Sequence, residues 1–106
     1  MRIYISGAIT GKSDARIRFR KAEEELREKY PFALIINPED VLRPLDEQKG
    51  LASCLCHEEY MEISFLLLDA CTHICMLDGW KESKGACQEY GYARASGKHF
   101  IWKKEA

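Results

Sequence analysis

Ser83-Lys84-Gly85-Ala86-Cys87-Gln88-Glu89-Tyr90-Gly91-Tyr92-Ala93 is the stretch that decides how this chain folds. Ser83 suits a helix N-cap, because its side-chain oxygen can accept from a free N–H of the first turn, and Gly97 suits a C-terminal stop. Between them, Gly85, Ala86 and Ala93 are small enough to let a helix approach a sheet closely. Short apolar runs flank this helix: Ile74 to Leu77, broken by Asp78-Gly79-Trp80, comes before it, and His99 to Trp102 after it. Both runs are too short for helices and fit buried strands. Strand, helix, strand is the unit of a parallel sheet, whose neighbouring strands need a crossover connection. Glu89 falls about two turns into the helix. A carboxylate there is either a salt-bridged structural group or a catalytic one.

The same alternation continues toward the N-terminus. Arg2 to Ser6 reads as a strand, closed by Gly7 and a loop through Gly11. From Ser13 to Tyr30 the residues Ala15, Phe19, Ala22, Leu26 and Tyr30 recur at three- and four-residue intervals, which predicts an amphipathic helix ended by Pro31. Ala33 to Ile36, bounded by Pro31 and Asn37-Pro38, reads as a second strand. A charged connection containing proline and glycine then runs to about Ser53, and Glu58 to Ala70 forms a second helix with Met61, Phe65 and Leu68 on one face. Four strands alternating with three helices predict a parallel α/β sheet with right-handed crossovers. In such sheets ligands bind beyond the carboxyl ends of the strands, where the strand order reverses. The loops Gly7 to Lys12 and Asp78 to Gly85 should therefore face each other across a crevice.

A chain of 106 residues has room for one domain that buries roughly two-thirds of its unfolded surface. With 46% hydrophobic and 31% charged residues it has the composition of a globular protein, which excludes a disordered chain. Its net charge is −1 and its basic residues form no run, so duplex nucleic acid is not an expected partner. Arg16, Arg18 and Arg20 are expected on a solvated helix face. No apolar stretch approaches the roughly 20 residues of a membrane span, and the N-terminus enters a strand pattern directly. The expectation is a cytoplasmic protein without a membrane partner. Five cysteines, Cys54, Cys56, Cys71, Cys75 and Cys87, are then expected as reduced thiols, mostly buried.

Gly7-Ala8-Ile9-Thr10-Gly11-Lys12-Ser13 looks like a phosphate-binding P-loop, but it has three residues between its first glycine and the Gly-Lys pair where that loop needs four. What survives is either a tight strand-to-helix turn or a loop whose glycines let backbone approach a ligand. Cys54, Cys56 and His57, with Cys71, His73 and Cys75, have zinc-ligand chemistry, but their spacings match no common zinc pair and no metal is expected. Glu89 is the stronger candidate. Ser83 and the N–H of Gly85 would stand at the helix start, able to hold hydroxyl or phosphate oxygens, and Tyr4 in the first strand offers a phenol to the carboxylate.

Taken in order, Tyr4-Ile5-Ser6-Gly7-Ala8-Ile9-Thr10-Gly11, then Asn37-Pro38, then Leu77-Asp78-Gly79-Trp80, and Ser83-Lys84-Gly85-Ala86 leading to Glu89 resemble the nucleoside 2-deoxyribosyltransferase-like superfamily. The similarity is to its small, mostly uncharacterised branch and to deoxynucleoside monophosphate N-glycosidases. It spans nearly the whole chain and implies one domain over residues 1–106, with a three-layer flavodoxin/Rossmann-like fold and a parallel sheet of four to five strands. It implies Glu89 as a nucleophile on the anomeric carbon of a nucleoside or nucleotide, with Tyr4 orienting it. Gly7, Ala8, Ile9, Thr10 and Gly11 would line the base and sugar pocket with Asn37, Asp78, Trp80 and Gly85, and Ser83 would meet a 5′-phosphate. No cofactor is implied, and family members are commonly dimers or larger.

The resemblance also marks departures. Ser64 stands where these enzymes usually carry an aspartate on the second helix, and a serine is no general acid near neutral pH. Glu62 and Asp69 occupy other faces of that helix. Thr10 stands at a position that is basic in the monophosphate hydrolases, with Lys12 nearby. Two classes therefore remain from the sequence, a glycosidase or deoxyribosyltransferase and a non-catalytic nucleotide-binding or metabolite-binding module. A metal-stabilised interaction domain is a third.

Overall fold

The computed structural model describes residues 1–8, 14–41 and 56–103. In chain order the elements are β1 (Arg2–Ser6), α1 (Ala15–Lys29), β2 (Leu34–Ile36), α2 (His57–Asp69), β3 (His73–Leu77), a 3₁₀ turn (Trp80–Glu82), α3 (Lys84–Ala95) and β4 (His99–Lys103). The four strands form one all-parallel sheet in the order β2-β1-β3-β4. This is an α/β fold.

Strand alternation sorts the core into two faces. Ile3, Ile5, Cys75 and Leu77 point toward α1 and pack with its Ala15, Phe19, Ala22 and Leu26. Tyr4, Ile74 and Met76 point the other way and pack with Leu68 of α2, Cys71 and Ala93 of α3. The sheet is thus sandwiched, with α1 on one side and α2 and α3 on the other. The layering follows from direction: the connection through α1 steps outward from β1 to β2, while those through α2 and α3 step the opposite way. A uniform crossover hand puts such helices on opposite faces. The reversal falls between β1 and β3, so their carboxyl ends, Ser6 and Leu77, open the crevice at which a ligand is expected.

Ends of elements agree with local chemistry. Gly97 (φ 73°) takes the left-handed conformation that terminates α3, and Gly79 (φ 84°) turns the chain after β3. One short helical segment was absent from the sequence reading. Residues 38–41 are helical, with the N–H groups of Asp40 and Val41 donating to the Asn37 carbonyl at 3.0 and 3.2 Å. Asn37-Pro38 ends the strand and also starts this segment, since proline suits a first helical position. Arg18 is also not simply solvated: its Nη2 donates to the Asp78 carbonyl at 2.8 Å and ties α1 to the loop after β3.

Gly7 continues β1 into the crevice, flush against β3. A Cβ at this position would lie 3.1 Å from both Cβ and Cδ1 of Leu77, which is fully buried. Gly7→Ala is therefore expected to destabilise the fold by about 1–3 kcal/mol, the usual effect of overpacking. Urea unfolding of the variant beside wild type checks this.

Candidate active site

Helix α3 presents Ala86, Glu89 and Ala93 to the sheet at three- and four-residue spacing. The two alanines bring the helix close, and Glu89 is carried with them to 6% exposure. Its carboxylate is met by two hydroxyls from β1. Tyr4 Oη donates to Glu89 Oε2 at 2.5 Å, and Ser6 Oγ donates to Oε1 at 2.7 Å. No salt bridge to Glu89 is present among the described residues. Of the two roles open to this residue from the sequence, a salt-bridged structural group is the one this environment does not supply.

Ser6 was not singled out as a site residue by the sequence reading. The signal was available in the strand period, because a residue two positions beyond Tyr4 faces the same side. Ser64 stands beside this network: it is buried on α2 and lines the same cavity as Tyr4 and Glu89. The hydrogen-bonded network itself runs from Tyr4 to one oxygen of Glu89, with Ser6 closing on the other.

Burial dominates the electrostatics. It pushes the Glu89 carboxyl from its ordinary 4.5 up to about 7, although the hydrogen bonds from Tyr4 and Ser6 pull the other way. Burial also holds the Tyr4 phenol well above its ordinary value, helped by the adjacent Glu89 charge, so Tyr4 acts as a donor and not as a phenolate. A carboxylate poised near neutrality in a cleft is a recognisable mark of a functional site, distinct from an exposed surface charge.

Glu89 forms part of the wall of a cavity of about 340 Å³. Tyr4, Gly7 and Ala8 come from β1 and the residues following it, His57, Tyr60, Met61 and Ser64 from α2, and Ser83, Gly85 and Ala86 from the start of α3. The two loops expected to face each other do so in their described parts. Ile9, Thr10 and Gly11 lie outside the described residues, as do Lys12 and Cys54.

The remaining candidates fall into two groups. Ser83 lines the cavity but is occupied as the N-cap of α3, its Oγ accepting from the Ala86 N–H at 3.1 Å. Ser83→Ala is expected to cost about 1 kcal/mol through loss of that cap, measurable by thermal unfolding. Gly85 also lines the cavity, and a Cβ there would make only ordinary contacts, the nearest 3.4 Å from Met61 Sδ. Asn37, Asp78 and Trp80, by contrast, do not line it. Asn37 is buried, its Oδ1 accepting from the Glu39 N–H at 3.0 Å and its Nδ2 donating to Glu23 at 3.1 Å, and its neighbour Pro38 reaches the cavity instead. Asp78 and Trp80 border a separate, wider hollow of about 580 Å³ at the ends of β3 and β4, with Tyr90 and Trp102. It is the larger recess, but Glu89, Tyr4 and Ser6 do not line it.

Cysteine chemistry is divided. Cys71 and Cys75 are buried, and burial pushes the Cys75 thiol up to about 12, which makes it inert. Cys56 and Cys87 are exposed free thiols. Cys71 follows the end of α2 and belongs to the core on the α2 and α3 side, whereas Cys75 belongs to the α1 side. Cys71 lies before β3, which begins at His73, so Cys71, His73 and Cys75 do not share one strand face. Among the described residues no group of three histidine, cysteine or acidic side chains converges as a metal site. No described helix is long and apolar enough to cross a membrane.

No curated protein and no solved structure matches this chain. A family model does, and it takes in β1, the Glu89 helix and nearly all of β4: over residues 1–102 the chain belongs to the domain of unknown function family DUF4406.

Proposed function

We propose that this protein cleaves or transfers the N-glycosidic bond of a deoxynucleoside or nucleoside monophosphate, with Glu89 as the nucleophile. One observation carries the reading: a buried carboxylate, oriented through both oxygens by Tyr4 and Ser6, opens into a cavity at the switch point of the sheet. Hydrogen bonds of this kind fix the carboxylate without neutralising it, and each oxygen keeps lone pairs for attack. Glu89 would bond to the anomeric carbon as the bond to the base breaks, leaving a glycosyl ester that water or a second base resolves.

The cavity suits such a ligand in other ways. The N-termini of α2 and α3 both border it, with Lys84 beside the second, and helix N-termini favour an anionic group. This supports a monophosphate over an unphosphorylated nucleoside. Wild-type protein incubated with a panel of 2′-deoxynucleosides and their 5′-monophosphates should release free base, detected by chromatography. A panel that yields none would remove the reading.

One observation favours a second reading, a module that binds a nucleotide without cleaving it. Ser64 is buried and lines the cavity, so that position offers a hydroxyl where a proton donor would be useful. Saturable nucleotide binding without base release selects this alternative.

A further inference from the structure

We propose that His57 is the proton donor to the departing base, an assignment that rests on the glycosidic reaction proposed above. When Glu89 attacks, the electron pair of the breaking C–N bond moves onto the base, and a neutral base leaves slowly unless a ring nitrogen is protonated. The donor must line the cavity. Among the described lining residues, Tyr4, Tyr60, Ser64 and Ser83 carry hydroxyls, a group whose proton is held too tightly near neutral pH for this task, and that of Tyr4 is donated to Glu89. Glu82 and Lys84 are exposed at the rim. Imidazole is the side chain that both gives and takes a proton in the neutral range.

Position agrees with chemistry. His57, Met61, Ser64 and Leu68 form one stripe of α2, spaced by four, three and four residues, of which Met61, Ser64 and Leu68 are buried. His57 lies two helical turns from Ser64 on that stripe, roughly 10 Å along the axis. His57 and Glu89 line one cavity of about 340 Å³, so a ligand seated there meets both. The ring is also held: His57 Nε2 lies 2.7 Å from Gln88 Oε1, an atom that can only accept, so Nε2 carries a hydrogen. Nδ1 is left as the nitrogen that carries the transferable proton.

The balance of the step is simple. One Glu89 oxygen forms the bond to the anomeric carbon, the C–N bond breaks, and the base takes the Nδ1 proton, leaving neutral imidazole. The test compares two substrates with enzyme in excess, so that only the first bond cleavage is read. One is an ordinary purine deoxynucleoside 5′-monophosphate; the other is its N7-methylated counterpart, whose base departs neutral without a proton. His57→Gln should slow the first at least about 100-fold, and the second by less than about 3-fold, so that the ratio of the two effects carries the assignment. Equal slowing of both substrates, or no slowing of either, overturns it. Glu89→Gln separates the two proposals: it should lose both substrates, and retained cleavage in that variant, or none in wild type, defeats the glycosidic reading itself.

Discussion

Glu89→Gln is expected to lower base release by on the order of 10⁴-fold or more, the scale seen when a nucleophile is removed, and at the same time to stabilise the folded protein in alkaline solution. The sign follows from burial. The folded carboxyl titrates near 7 against an ordinary 4.5, so the native state prefers the protonated form. The stability this preference contributes is complete below about pH 4.5 and is lost as pH rises through about 7. A difference of that size corresponds to about 3 kcal/mol. Glutamine cannot ionise and escapes the loss. Urea unfolding at pH 5 and pH 8 should show wild type losing about 2.5 kcal/mol relative to the variant across the interval. Parallel stability curves for the two proteins would mean that Glu89 does not change ionisation there.

The double variant Tyr4→Phe with Ser6→Ala is expected to have the next largest effect. Each hydroxyl donates to the charged carboxylate, and a hydrogen bond to a charged group contributes about 1.5–3 kcal/mol. Losing both leaves burial unopposed and drives the Glu89 carboxyl upward by roughly two to four pH units. At pH 7 the ionised fraction, and with it base release, should fall by about 10² to 10⁴. With the N7-methylated substrate, which needs no proton donor, wild-type kcat/KM should rise with pH around a midpoint of about 7 as Glu89 ionises. In the double variant that rise should move well into the alkaline range. Superimposable profiles would show that the two hydroxyls do not control the nucleophile.

These two experiments bear on the part of the site that the sequence shows most directly. Tyr4 and Glu89 were legible because each sits at a fixed phase of a regular element, one on a buried strand and the other two turns into a capped helix. The strands and helices were legible for the same reason. The apolar periods of Ala15, Phe19, Ala22 and Leu26 and of Met61 and Leu68 are those that reach the core, and the expected element ends differ from the observed ones by at most two residues. Ser6 was equally determined by the strand period but lacks the chemical conspicuousness of a phenol or carboxylate. His57 was considered as a metal ligand because it stands near cysteines in sequence. Its position in the cavity depends on how α2 lies against α3, which no local pattern encodes. The same is true of Asp78 and Trp80. Their loop does follow β3, but the 3₁₀ turn from Trp80 to Glu82 directs them toward β4, away from Glu89.

That diversion has an optical consequence. The chain has two tryptophans, and both stand in the wider hollow, with ring centroids 6.0 Å apart. Intrinsic indole emission therefore originates entirely beside the ends of β3 and β4, outside the wall that holds Glu89. A ligand seated on Glu89 has no indole in contact with it, so quenching on titration would report either occupancy of the outer hollow or movement relayed through the turn between them. Fluorescence and base release thus watch separate regions of one small protein, and comparing their concentration dependence shows whether the two recesses act together.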